Sequence, residues 1–307
     1  MREKFPRHEL ALLARGEVGN LLQQAGEVSQ VFSLEGRFAN SLFIGGDAIA
    51  SQWCEWLGRC DRVIGFLSDP ERTLKATLDH LPVTQVTLQS PFDDELRALH
   101  QAARFIEIVE RTAPAQVMLD PPLRISQESQ IFAEKTLRRL GVKASGNGLV
   151  VVHPGSGSRC KCADPRLYAE VVDWVTECGG QAVMVEGPAD GEVVAAVTNR
   201  LSHHRVPVLK NCELTVLAAV LVQASLFIGN DSGVTHLAAL VGAPTVALFG
   251  PTDPARWAPI GRTVQILEGS SCACRPEWSR VQVCETRSCL RIDRQVLISA
   301  CRRIVPT

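Results

Sequence analysis

The chain has 307 residues, 46% hydrophobic and 21% charged, which is enough apolar material for two packed domains and too much for a disordered chain. Lys and Arg total 32 against 33 Asp and Glu, so no global field attracts nucleic acid, and one Tyr with five Trp offers little for base stacking. Residues 1–7 lack the apolar core of a signal peptide, and the longest apolar stretch, 214–229, is broken by Gln223 and too short to span a bilayer; a cytoplasmic protein is expected.

In chain order, residues 10–13, 28–32 and 62–66 have the apolar and β-branched runs of strands, while 38–57 and 93–112 show the three- and four-residue apolar spacing of helices. Residues 126–140, closed by Gly141, read as a helix leading into a polar joint, Ala144-Ser145-Gly146-Asn147-Gly148. From there β-branched runs at 149–153, 182–185, 206–209, 226–229 and 245–249 alternate with amphipathic stretches at 166–178, 191–201, 213–223 and 234–241. That alternation is the signature of βα units around a parallel sheet. The expected class is α/β, with one domain over 1–143 and a second over 144–307.

Three segments of the second half carry the chemistry. Val151-Val152-His153-Pro154-Gly155-Ser156-Gly157-Ser158, with Lys161 beyond, sets a Gly/Ser-rich loop directly after a buried strand. Such a loop exposes backbone N–H groups and lets a phosphate approach, with Lys161 as a point charge; alone it reads equally well as a plain strand-to-helix turn. In Ile228-Gly229-Asn230-Asp231-Ser232-Gly233-Val234-Thr235-His236-Leu237-Ala238 a strand ends at Gly229 and a helix starts near Gly233. The free amides and positive dipole end of that helix then face the carboxyl edge of the sheet, with His236 in reach of the same oxygens. Taken singly, His236 also reads as a histidine packed under a loop, and Asp231 or Ser232 as an ordinary helix cap. Residues 242–254 supply a third strand ending in a glycine turn. Three such loops at the carboxyl ends of strands in one sheet favour a single phosphate-and-sugar cleft.

On these residues the chain resembles the ADP-heptose:lipopolysaccharide heptosyltransferase family, glycosyltransferase family 9. The resemblance rests on His153-Pro154-Gly155-Ser156-Gly157 with Lys161, on Gly229-Asn230-Asp231-Ser232-Gly233 with His236-Leu237-Ala238, and on Leu248-Phe249-Gly250-Pro251-Thr252-Asp253-Pro254. It covers most of 149–261, and the rest of the chain more loosely. It implies a GT-B fold: two Rossmann-like, doubly wound domains facing a central cleft that holds a nucleotide diphosphate-sugar. It implies that Ser156, Gly157, Ser158 and Lys161 contact phosphate, that Asp231, Ser232, Gly233 and His236 contact the pyrophosphate or sugar, and that Asp190, less directly Glu186, contacts the ribose, with 211–214 as the adenine wall. The implied reaction moves a sugar, heptose first, from the nucleotide donor to a lipid-linked saccharide acceptor of lipopolysaccharide-core type at the inner membrane face, without a cofactor. Because the chain has no Asp-x-Asp pair, metal-independent transfer with inversion is expected.

The chain also departs from the family. Where members carry Trp-Pro after the lysine, it has Cys162-Ala163-Asp164. Members open with a strand, a loop ending in Gly-Asp, and a helix, and that aspartate is the proposed base for the acceptor hydroxyl. Here residues 1–6 resemble the tail of that first helix and 9–15 the second strand, so the N-terminal domain is expected to be incomplete and the catalytic base has no counterpart. Ser41-Leu42-Phe43-Ile44-Gly45-Gly46-Asp47-Ala48 imitates the missing segment, but it follows the apparent second and third strands, so Asp47 reads as a loop or helix residue. The rival readings are a non-catalytic nucleotide-sugar binder and a two-domain sugar-nucleotide epimerase. Eleven cysteines without an export signal favour reduced thiols. Cys272, Cys274, Cys284 and Cys289, with Cys160 and Cys162 as possible neighbours, read either as a four-thiolate zinc site or as loop thiols, and the one-residue spacing of the first pair fits zinc poorly.

Overall fold

The computed structural model describes residues 5–44, 51–92, 99–111, 114, 117, 122–143, 148–202, 205–272 and 278–304. The chain divides into two compact units, Met1–Val117 and Met118–Thr307.

In the first unit, β1 (Ala11–Ala14) leads through α1 (Gly16–Gln24) to a parallel partner, β2 (Gln30–Ser33). A Cβ on Gly19 would stand 2.2 Å from a Val31 methyl carbon, so α1 lies against β2 at a distance only glycine allows. Of the helix the sequence reads over 38–57, α2 (Arg37–Ile44) and α3 (Ser51–Leu57) are described, and Asp47 lies outside the described residues. Next come β3 (Arg62–Gly65), α4 (Thr73–Asp79) and β4 (Gln85–Leu88), with β3 and β4 again parallel. Of the helix expected over 93–112, α5 (Gln101–Glu110) is described. Leu42, Trp53, Leu57, Leu74 and Leu78 form the buried centre of this unit. The Phe32 ring packs 5.0 Å from Trp53 and 4.8 Å from Trp56, centroid to centroid.

The second unit begins with α6 (Gln127–Arg139) and then builds the strands β5 (Leu149–His153), β6 (Gln181–Glu186), β7 (Val208–Lys210), β8 (Leu226–Asn230), β9 (Thr245–Phe249) and β10 (Val264–Glu268). Its principal helices are α7 (Pro165–Glu177), α8 (Gly191–Thr198), α9 (Leu214–Val222) and α10 (Gly233–Leu240), followed by α11 (Pro254–Trp257), α12 (Trp278–Gln282) and α13 (Arg294–Ile304). Helix α6, which the sequence assigns to the first domain, packs on α9 of this unit.

All six strands are parallel, in the order β10-β9-β8-β5-β6-β7. Every residue of β5, β8 and β9 is buried, as continuous apolar runs require when helices cover both faces of a sheet. Strand β7 begins at Val208, later than the sequence reads it. Pro207 has no N–H to give a neighbour, although its carbonyl still accepts from the Met184 amide at 2.9 Å. From β5 the chain winds outward to β6 and β7, then crosses back to β8 and winds the other way. The β5/β8 junction, where His153 aligns with Gly229, is thus the switch point at which a doubly wound sheet opens a crevice outside its carboxyl edge. Phe227 is fully buried in β8, so Phe227→Ala should cost about 3–5 kcal/mol and lower the urea midpoint of the second unit. An unchanged midpoint would contradict this packing.

Candidate functional site

At the switch point, one buried side chain joins the two loops. Asn230, fully buried at the end of β8, donates through Nδ2 to the carbonyls of Pro154 at 2.7 Å and Gly155 at 3.3 Å. Its Oδ1 accepts from the Ala163 amide at 3.0 Å, so the amide group spans both ends of the 154–163 segment. Ser156 Oγ adds a bond to the Asp231 carbonyl at 2.7 Å. Inside the segment, Ser158 accepts from the Cys160 amide and starts the short 3-10 turn Arg159–Lys161.

A second buried chain runs beneath these loops. His153 Nε2 meets Asp190 Oδ2 at 3.0 Å, and His153 Nδ1 meets Ser232 Oγ at 3.3 Å. The His153 bond first, then the Gly187 amide at 2.9 Å, hold the Asp190 carboxyl below the usual carboxylate range against the opposing effect of burial. Asp190 lies so close under the loop that a Cβ on Gly155 would be 2.0 Å from its Oδ1. Ser232 caps α10 by accepting from the Thr235 amide, and Thr235 Oγ1 donates to the Asn230 carbonyl, which fixes the entry to the helix.

The charged cluster lies above this framework. Asp231 Oδ2 accepts from Lys161 Nζ at 3.1 Å and from Thr252 Oγ1 at 2.7 Å, and His236 Nε2 stands 3.9 Å from its other oxygen. Burial pushes the Asp231 carboxyl up, but His236, Lys161 and Thr252 outweigh it and hold it below its ordinary value. Asp231 is itself buried while His236 is 42% exposed, so the cluster has a buried anion and a solvent-facing cationic or donor side. The first turn of α10 adds amides that the helix itself leaves unbonded.

Ser156, Lys161, Asp231, Ser232 and His236, read separately from the sequence, therefore meet at one strand junction. The carboxylate of Asp190, the residue read as a ribose contact, bonds His153 and the Gly187 amide. Glu186 is paired with Lys210 Nζ at 3.1 Å, and its carbonyl accepts from the Asn211 amide at 2.8 Å. Asn211 itself adopts a left-handed backbone, with φ 43°. Asn230, His153 and Thr252 were not singled out. The signal for them was their place inside the quoted motifs at strand ends, where a buried polar side chain must find a partner.

The cysteines divide. Cys272 Sγ and Cys284 Sγ are 3.7 Å apart, and Cys289 is buried in the main core. Burial pushes the Cys162 thiol up to about 11, and Cys162 leans on the Ser158 carbonyl. Cys274 lies outside the described residues, and among the described residues no three His, Cys, Asp or Glu side chains are grouped to hold a metal.

Comparison with known proteins places this geometry. The sequence profile "Glycosyltransferase family 9 (heptosyltransferase)" matches residues 86–286. Lipopolysaccharide heptosyltransferase 3 of Escherichia coli K12 is 27% identical over 167 residues, 53% of this chain and 48% of that protein. Lipopolysaccharide heptosyltransferase 1 of Pseudomonas aeruginosa is 41% identical over 69 residues, 22% of this chain and 19% of that protein. The chain thus spans about half the length, or less, of these curated relatives. Among solved structures, a glycosyl transferase family 9 protein of Veillonella parvula superposes with TM-score 0.80 at 20% identity, covering 99% of this chain and 90% of its own. The ADP-heptose lipopolysaccharide heptosyltransferase II of Escherichia coli gives 0.74 at 17% identity, covering 99% and 91%. The fold these structures share is the GT-B α/β class expected from the sequence.

Two outcomes follow for the framework. Asn230→Ala strands the Pro154 carbonyl and the Ala163 amide in a dry interior and should cost about 2 kcal/mol or more, read as a lowered unfolding midpoint. Asp190 and Asp231 both have depressed folded-state values. Their contribution to stability is complete above the unfolded carboxylate value of about 3.9 and drains away as pH falls below it through the folded values. Thermal stability should fall on acidification below about pH 4, less steeply in Asp190→Asn; an equally steep fall in the variant would contradict the His153–Asp190 assignment.

Proposed function

The chain belongs to glycosyltransferase family 9, the heptosyltransferase family, and from that premise we propose that it transfers a heptosyl group from ADP-heptose to a lipopolysaccharide-core-type saccharide. One observation carries the reading: Lys161 and His236 converge on opposite oxygens of a single carboxylate, Asp231, beside the first turn of α10. As the anomeric carbon loses its bond, the diphosphate gathers negative charge, and fixed amides together with Lys161 and His236 are where that charge develops. Gly157 and Gly233 support this placement. Neither adopts a left-handed backbone, and a Cβ on either would meet nothing within 4 Å, so nothing inside the chain demands glycine there; close approach of a ligand does.

An ionised carboxylate repels a phosphate and accepts from a hydroxyl. Of the partners read for Asp231, we therefore assign it the donor sugar, with a second task of aiming Lys161 and His236. The turned-in Asp190 becomes a support of the phosphate loop. We assign no residue to deprotonation of the acceptor. Transfer with inversion and without a metal, and action at the inner membrane face, belong to the same proposal; among the described residues no helix is long and apolar enough to cross a membrane.

Isothermal titration with ADP, paired with a product assay on ADP-heptose and a core saccharide, tests the reading. Lys161→Ala and His236→Ala should each weaken ADP about tenfold, the loss expected of one charge-assisted hydrogen bond. Unchanged affinity in both would remove the phosphates from this site, and ADP binding without any product would favour a nucleotide-sugar binder over a transferase.

A further inference from the structure

Two cysteines of the second unit meet at a place the donor chemistry does not use. Cys272 Sγ and Cys284 Sγ are 3.7 Å apart, in contact but not bonded. Twelve residues separate them in sequence, so the fold and not the local chain brings them together. A disulfide bond is about 2.05 Å long, so closing one here draws the sulfurs together by about 1.6 Å.

The surroundings decide where that contraction falls. Cys272 packs against the buried core of the second unit. Just before it, the Gly269 and Ser270 amides donate to the Cys289 and Ser288 carbonyls at 2.9 and 3.1 Å, and Ser288 Oγ donates to the Ser271 carbonyl at 3.2 Å. Leu290 is wedged under the turn after β9, where a Cβ on Gly250 would stand 2.4 Å from its Cγ. Between the end of α12 at Gln282 and a 3-10 turn at Ser288–Leu290 runs an irregular stretch, 283–287. It carries Cys284, the exposed Val283, and Arg287 in a left-handed backbone with φ 42°. With both flanks anchored, this stretch is the part that can give.

Arg287 ties the same stretch to the donor site. Its Nη1 donates to the carbonyl of Arg159 at 3.3 Å, the first residue of the short turn that ends at Lys161. Burial is the main influence on the Cys162 thiol and Arg287 opposes it, so the guanidinium also lies near the far end of that turn.

We propose that Cys272 and Cys284 form a thiol–disulfide site closed by a peroxide, and that closing it loosens the Lys161 turn through Arg287. The first clause stands on the sulfur contact; the link to ADP rests on the donor-site reading. One thiolate attacks hydrogen peroxide, breaks the O–O bond and becomes a sulfenic acid as hydroxide leaves. The second thiolate then displaces hydroxide from that sulfur. Two thiols and one peroxide thus give one disulfide and two waters. Cys162 and Cys301 compete poorly, because burial pushes their thiols up to about 11 and about 12 and leaves little thiolate at neutral pH.

The test treats the full chain, stripped of metal by a chelator, with hydrogen peroxide, then alkylates, digests and weighs the peptides. Peptides carrying Cys272 and Cys284 should be linked, and should remain so in Cys274→Ser. A link lost in Cys274→Ser but kept in Cys272→Ser, or no link at all, would overturn the site. Oxidation should move the Arg159 and Lys161 amide resonances and weaken ADP about threefold, the worth of one exposed hydrogen bond. Arg287→Ala should weaken ADP by a similar factor and abolish the response to peroxide, because the two changes remove the same contact. Cys284→Ser should bind ADP as the reduced wild type does and ignore peroxide. A disulfide that leaves those resonances or the ADP affinity unmoved, or a response that survives in Cys284→Ser, would overturn the coupling. A chain that never binds ADP removes the donor reading, while the linked peptides and the resonances remain decisive for the thiol site and its reach.

Discussion

The site depends on a single buried amide. Asn230 ends β8, and its side chain reaches across the β5/β8 junction to bond both ends of the loop that follows β5. A parallel sheet whose winding reverses leaves two strand ends side by side with their loops free to splay. Here one side chain with two donors and an acceptor removes that freedom. The bonds have no water to compete with, so they are strong while intact and costly to lose. Everything charged in the site is aimed by backbone that Asn230 holds.

Polar connections beneath the surface then set the charges above it. Asp190 anchors His153, His153 meets the hydroxyl of Ser232, and Ser232 caps α10. The result is a helix N-terminus whose position is fixed from below. Asp231 sits next to that cap and collects Lys161, Thr252 and His236. Lys161 and His236 are kept in place by a carboxylate that is buried and held in its ionised form, so their approach to a diphosphate needs little rearrangement. Preorganisation of this sort lets electrostatic stabilisation act on a leaving group without a reorganisation cost.

Much of this was legible in the sequence, for reasons that also explain what was not. Residues 149–153, 226–230 and 245–249 form strands covered on both faces, so each is an uninterrupted apolar run with no competing period. The glycine-bearing loops follow those runs directly, which is why Ser156, Lys161, Asp231, Ser232 and His236 emerged together. The His153–Asp190 contact was not legible because its partners are 37 residues apart and no local pattern encodes the pairing. In the first unit, β4 went unread because Gln85-Val86-Thr87-Leu88 is short, half polar and only partly buried. Helix α1 was hidden by two glycines, one of which is demanded by close packing on Val31 and not by any turn.

The central claim is that the amides at the start of α10 and the Lys161 turn receive a diphosphate. It is tested most directly by following backbone amide resonances during titration with ADP. Gly233, Val234 and Lys161 should shift first and saturate together, with Asn230 holding its position. Saturating shifts confined to other strand ends, with Gly233 and Val234 unmoved, would contradict it.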